Sequence, residues 1–190
     1  PDKQKLEFGQ SQRNLAITDI DYFRGELFVA GLSNEEFSST LRRFHYPFDN
    51  HVSSSSIEIW HATHGEFKTR APIVQMMIHA DGDSAYLYAA YACTPLVRLP
   101  LSALTDNAHV RGETIGELGY GSTPVDMLTY SDAADGKDYL LVANNMRSAT
   151  RIAISDLGTA VAMPVNVPPN FGPDGIAQYP IALTGSVQTK

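Results

Sequence analysis

Two groups of side chains have the types and spacing to do chemistry. The first is histidine: His45, His51, His61 and His64 fall within twenty residues of a chain that holds six. Imidazole clusters suit copper, zinc or haem iron. These four are the candidate metal ligands, and a transition metal is the candidate cofactor. His61 and His64 stand three apart. On a strand such residues point to opposite faces, so joint ligation of one ion requires a bend at Ala62-Thr63. Histidines in loops are also ordinary surface residues, and that reading stands beside the metal one.

The second group is Asp19, Asp21, Gln75, His79 and Asp126. Asp19, Gln75 and Asp126 become equivalent when Ile17-Thr18-Asp19, Ile73-Val74-Gln75 and Pro124-Val125-Asp126 are laid in one frame. Asp21 and His79 lie two and four residues further, on the same face by strand alternation. Where the first strands of a repeat line a central channel, such a ring of carboxylates, amide and imidazole binds a cation or a polar ligand. Polar residues also line any water-filled channel. Cys93 reads as a buried, inert thiol rather than a nucleophile, because no Cys–His pairing is legible. Arg98 and Arg151 recur at one position and read as repeated blade-to-blade ion pairs before anion ligands. No Walker loop, GxGxxG, GxSxG, HExxH or EF-hand is present, and no catalytic residue can be named.

The elements that must position these residues are strands. Residues 72–104 read as an extended segment, an Asp81-Gly82 turn, an apolar strand, a polar break and an alternating strand. Residues 124–157 repeat the plan with a turn at Asp135-Gly136. Leu99 to Leu104 lie over Ile152 to Leu157, an offset of 152 − 99 = 53, which also sets Arg98 over Arg151 and Ala90 over Ala143. A looser copy at 17–48 turns at Arg24-Gly25. Repeats of roughly 40–50 residues, each of several strands, signal β-propeller blades. The expected fold is all-β, with about three and a half four-stranded antiparallel blades at about 15–70, 72–118 and 124–187. Residues 1–14 read as an ill-ordered lead-in to a partial propeller domain over 15–190.

Within the blades the expected strands are 15–23, 26–31, 40–48 and 57–60, then 73–79, 85–92, 96–101 and 109–118, then 139–143 and 150–154. The serine-rich residues 49–56 read as a flexible loop, 163–175 with four prolines as a long loop, and 176–187 as one more strand or hairpin. No helix of ordinary length is expected, Ser33 to Leu41 being the nearest candidate.

Propellers usually close with about four to eight blades. Either further blades lie on another chain or elsewhere in a parent protein, or 190 residues close a small ring with an irregular fourth blade; the first is preferred. A partial ring would leave apolar faces bare, with Ile17, Leu27 and Val29 at one end and Leu141, Val142 and Ile152 at the other. It would then self-associate or stay bound to what completes it. Composition is that of a globular protein, 43% hydrophobic and 18% charged. A net charge of −7 argues against nucleic acid. No apolar run reaches the ~18 residues of a membrane span. The single cysteine excludes an intrachain disulfide. A first residue of Pro1 fits a removed signal peptide, an internal cleavage or a truncation.

The blade plan resembles the bacterial secreted propellers grouped as YVTN-like, and more loosely the kelch and WD40 classes. The similarity covers about residues 17–157, without a GH…WD signature or a kelch double glycine. The segments IEIWHATHG (57–65), CTPLVR (93–98) and KDYLLVAN (137–144) also look like a group of uncharacterised secreted bacterial proteins. The resemblance implies a propeller in the periplasm or outside the cell, and no chemistry. Two functions follow as expectations. One is a secreted or periplasmic binding and assembly module, completed by further blades or by a partner chain. The alternative is a metal-dependent, copper- or haem-type redox enzyme with histidines at the channel mouth.

Overall fold

The computed structural model describes residues 12–166 and 168–183. Its strands form three sheets. The first runs in sequence order through β1 (Asp19–Phe23), β2 (Glu26–Leu32), β3 (Ser39–His45), β4 (Ser53–His61) and the short β5 (Glu66–Lys68). The second begins with β6 (Ile73–Asp81), β7 (Ser84–Tyr91) and β8 (Cys93–Pro100). After β8 the chain places β9 (His109–Arg111) parallel against β4, then returns with β10 (Glu113–Ser122) beside β8. The third sheet holds β11 (Pro124–Ser131), β12 (Asp138–Asn144) and β13 (Ala149–Ala153). A six-residue helix, α1 (Ile154–Thr159), follows. Then β14 (Asp174–Gly175) joins β10, and β15 (Tyr179–Ile181) joins β13. The chain is thus all-β, and each sheet contains an antiparallel run of four strands. Among the described residues no helix is long and apolar enough to cross a membrane.

Sheet two lies between the others, and its strands show why. Met76, Leu87, Ala89, Val97 and Leu99 pack into one core with Phe28, Leu41, Ile57 and Ile59 of sheet one. Met77, Tyr88, Ala90 and Leu96 pack into a second core with Met127, Leu140, Val142 and Ile152 of sheet three. A strand covered on both faces needs an unbroken apolar run, which is what Tyr86 to Tyr91 supplies. At the sheet ends, β6 packs beside both β1 and β11.

The registers of sheets two and three correspond. Tyr88 pairs with Arg98 and Leu141 with Arg151, and both members shift by 53 (141 − 88 and 151 − 98). Gln75 stands opposite Ala90 after a bulge at Ile73/Gln75, and Asp126 opposite Ala143 after one at Pro124/Asp126. Arg98 lies over the Tyr86 ring at 5.4 Å and Arg151 over Tyr139 at 4.5 Å. Both arginines also pair within their own sheet, Arg98 with Glu113 at 2.7 Å and Arg151 with Asp132 at 2.8 Å. All three expected turns join antiparallel neighbours. Arg24 (φ +48°) and Gly25 (φ +87°) are both left-handed, as a two-residue loop matched to strand twist requires.

Several expectations fail for identifiable reasons. Residues 53–56 are strand, not loop. Ser53 and Ser55 are buried on the same face as Ile57 and Ile59. Ser55 Oγ donates to the Thr105 carbonyl at 2.8 Å, and Arg43 donates to Ser53 Oγ at 3.3 Å. Small hydroxyl side chains with such partners fit a sheet as well as a loop. The single strand expected at 109–118 breaks at Gly112, where a Cβ would stand 2.5 Å from Val97 Cγ1. The tight loop after β6 is Gly82-Asp83, because Asp81 pairs with Ser84. Residues 12–15 form a 3-10 turn, while the rest of the lead-in lies outside the described residues. The bare apolar faces are also largely absent: Val29 and Leu141 are buried, and Val142 and Ile152 are core. Leu27 is half-buried, and only Ile17 of the six is exposed.

Candidate metal centre

The carboxylates of the channel group are engaged with backbone. Asp19 Oδ2 accepts the Met76 N–H at 2.7 Å, and Asp21 Oδ2 accepts the Ile78 N–H at 2.9 Å. Two side chains of β1 thereby satisfy β6 where no backbone ladder joins the two strands. Asp21 Oδ1 also accepts the Tyr22 N–H at 2.8 Å, and the buried Asp126 accepts its neighbour's N–H from Met127 at 2.9 Å. Gln75 and His79 lie half-buried on β6, next to the strands that carry these aspartates.

The histidines divide. His45 ends β3 opposite Glu26 and is exposed. His51 is exposed in the following turn, its N–H held by Asp49 Oδ1 at 2.8 Å. His61 and His64 come together because β4 ends in a turn. The N–H groups of His64 and Gly65 both bond the His61 carbonyl, at 3.1 and 2.9 Å. Gly65 leaves the turn at φ +66°, open to glycine at no steric cost. The bend that chelation requires is present, and the rings stack with centroids 4.1 Å apart.

Cys93 is the third member. It opens β8 in the left-handed region, φ +88°, which a non-glycine residue adopts only under constraint. Across from it β10 bulges, passing from Glu117 opposite Pro95 to Ser122 opposite Cys93. The candidate donor atoms of His61, His64 and Cys93 all lie within 4.8 Å of one another.

Behind the three donors stands a buried polar shell. His61 Nε2 is 2.8 Å from Thr94 Oγ1, and Thr94 in turn bonds Glu117. Glu117, fully buried, accepts the Ala62 N–H at 2.9 Å and the Thr63 hydroxyl at 3.3 Å. Burial, the largest influence, raises the Glu117 carboxyl above its usual range against the pull of these hydrogen bonds. Desolvation first, then the His64 and Lys68 charges, lower His61 to about 4. Burial raises the Cys93 thiol, opposed by a hydrogen bond with Thr94. At neutral pH His61 is therefore a neutral imidazole, the form that ligates metals. In the tautomer that donates its Nε2–H to Thr94, Nδ1 keeps a lone pair to offer. A hydrogen bond on the second ring nitrogen is the usual support for a ligating histidine. Two imidazoles and a thiol make a nitrogen–sulfur donor set for a borderline or soft transition metal.

Sequence reasoning located His61 and His64 but set Cys93 apart and passed over Thr94 and Glu117. The signal for Glu117 was a lone charge inside the apolar stretch Ile115 to Leu118, which in a buried strand demands partners. No family model, curated protein or solved structure matches this chain. Nothing in those comparisons identifies the propeller group that the blade plan resembles.

Proposed function

We propose that this chain is a metal-binding sector of a β-propeller, holding one transition-metal ion at His61, His64 and Cys93. The convergence of these three donors from two distant parts of the sequence carries the reading. Two donors on one ion stand at most about 4.1–4.4 Å apart, the sum of two bond lengths. Trigonal or tetrahedral angles set bound donors closer than the 4.8 Å within which these atoms lie, and the exposed His64 leaves its ring stack to turn toward the other two. The propeller part draws support from the three four-stranded runs, the matching registers of sheets two and three, and β6 packed beside β1 and β11.

Titration of the metal-free chain with Zn²⁺ or Co²⁺ tests the metal reading. One equivalent bound, lost in both Cys93→Ser and His61→Gln, is the expected result. No binding at micromolar metal would sink it.

A specific feature favours the assembly role as well. Ile17, Ile20 and Tyr22, on and beside the edge strand β1, are 62%, 50% and 57% exposed. An edge that carries three large apolar side chains is a place for further blades of the parent protein or for a partner chain. Sedimentation velocity over a concentration series tests this, a concentration-independent monomer being the outcome against it.

A further inference from the structure

We infer that the metal for which this centre is built is copper, cycling between Cu(II) and Cu(I) as an electron-transfer site. The inference rests on the metal-binding reading and narrows it. Three considerations favour it. Two histidines and one cysteine, with no fourth His, Cys, Asp or Glu clustered with them among the described residues, form the trigonal His₂Cys set that copper electron-transfer centres use. A structural zinc site closes with four protein donors.

The second shell points the same way. The Thr94–Glu117 pair behind His61 and the constrained backbone of Cys93 hold two donors in fixed orientation. Such a shell limits rearrangement between oxidation states, which electron transfer needs and metal storage does not. Thermodynamics also favours copper: nitrogen and sulfur donors bind Cu²⁺ above Zn²⁺ in the ordinary divalent order.

The balance is simple. On loading, the Cys93 proton leaves to solvent and the thiolate binds the ion. In each cycle Cu(II) takes one electron from an outer-sphere one-electron donor, a small reductant or a redox protein, and Cu(I) returns it to an oxidant of the same class. No covalent bond to carbon, oxygen or sulfur forms or breaks in the cycle.

The test adds one equivalent of Cu²⁺ to the metal-free full chain under nitrogen. The expected result is an intense visible thiolate-to-copper charge-transfer band that ascorbate bleaches and ferricyanide restores over repeated cycles. Cys93→Ser loses the band with an unchanged far-UV circular dichroism spectrum, and His51→Gln keeps it. Thr94→Val, which removes a positioning contact, shifts the midpoint potential and weakens copper affinity about 10–100-fold. If Zn²⁺ binds one to one but Cu²⁺ gives no reversible band and instead links chains through Cys93 disulfides, the copper assignment is overturned and the metal site stands. If neither ion binds, both fall.

Discussion

The seam between β1 and β6 and the turn after β4 were both marked by polar residues in an apolar context, yet the structure employs them differently. At the seam, Asp19 and Asp21 spend their carboxylates on the N–H groups of Met76 and Ile78. These residues do the work of a missing backbone ladder, and their charge is a means of joining strands. At the turn, His61 Nε2 ties β4 to β8 through the Thr94 hydroxyl, while the His64 ring stacks on His61. Their support comes from the buried Thr94 and Glu117, and Glu117 also takes up the Ala62 N–H and the Thr63 hydroxyl of the turn. A polar group that faces an unpaired edge is explained by that edge. On the proposed reading, a group of metal-ligating atoms with its own buried polar backing is explained by a ligand.

The largest effect that sharpens this contrast is metal-linked stability. At free metal about 1,000 times the dissociation constant, binding stabilises the fold by about 4 kcal/mol. Thermal melts should show a corresponding rise for the native chain and none for Cys93→Ser, while Asp21→Ala should keep the rise. Equal loss of the metal effect in both variants would erase the distinction between the regions.

Next is acid sensitivity. His61 is held neutral to about 4, below its ordinary 6.5, so between these values the unfolded chain binds the extra proton. Stability then falls as pH drops through that window, by about 3 kcal/mol in all. Glu117 acts oppositely: its raised carboxyl favours the fold while protonated, and this contribution is lost as pH rises above the ordinary 4.5. Urea titrations at steps from pH 7 to 4 on the metal-free chain check the first slope, which should flatten in His61→Gln. An unchanged slope in that variant would assign the acid loss to other groups.

At the seam, Asp19→Ala and Asp21→Ala each leave a β6 N–H without its acceptor and should cost about 1–3 kcal/mol. The Met76 site is the deeper, with that residue fully buried, so Asp19→Ala should cost more than Asp21→Ala. Chemical denaturation measures both, and a neutral Asp19→Ala would mean that the carboxylate serves something other than the seam.

The smallest effect has the opposite sign. Cys93→Gly removes a side chain from a left-handed backbone that costs a non-glycine residue about 1–2 kcal/mol. Part of that gain is offset by lost burial and by glycine's larger unfolded-state entropy, about 0.4–1 kcal/mol, leaving a stabilisation of under about 1 kcal/mol in the metal-free chain. A cysteine retained where glycine is more stable is one kept for its sulfur. A destabilised Cys93→Gly would return Cys93 to the role of a packing residue.

Much of the fold was legible because its causes are local. Apolar runs marked β7 and β12, alternation marked β8, turn chemistry marked Arg24-Gly25, and the 53-residue offset predicted which residues hold equivalent places, down to Arg98 and Arg151. Composition misled where a side chain's partner lay far away. Ser53 and Ser55 look like a loop until Arg43 and the Thr105 carbonyl take up their hydroxyls.

The site divides along the same line. The sequence by itself determined that His61 and His64 stand three apart before a glycine, and that joint ligation needs a bend between them; the turn that supplies it is seen in the structure. Only the tertiary structure decided that Cys93, 93 − 61 = 32 residues on, opens a strand beside them, and that Glu117 lies buried behind. The reason is physical: a hydrogen-bonded turn acts over four residues, whereas the meeting of β4, β8 and β10 depends on how sheet one stacks on sheet two. That stacking is set by apolar area summed over many residues, and no local spacing records which polar groups it will bring together.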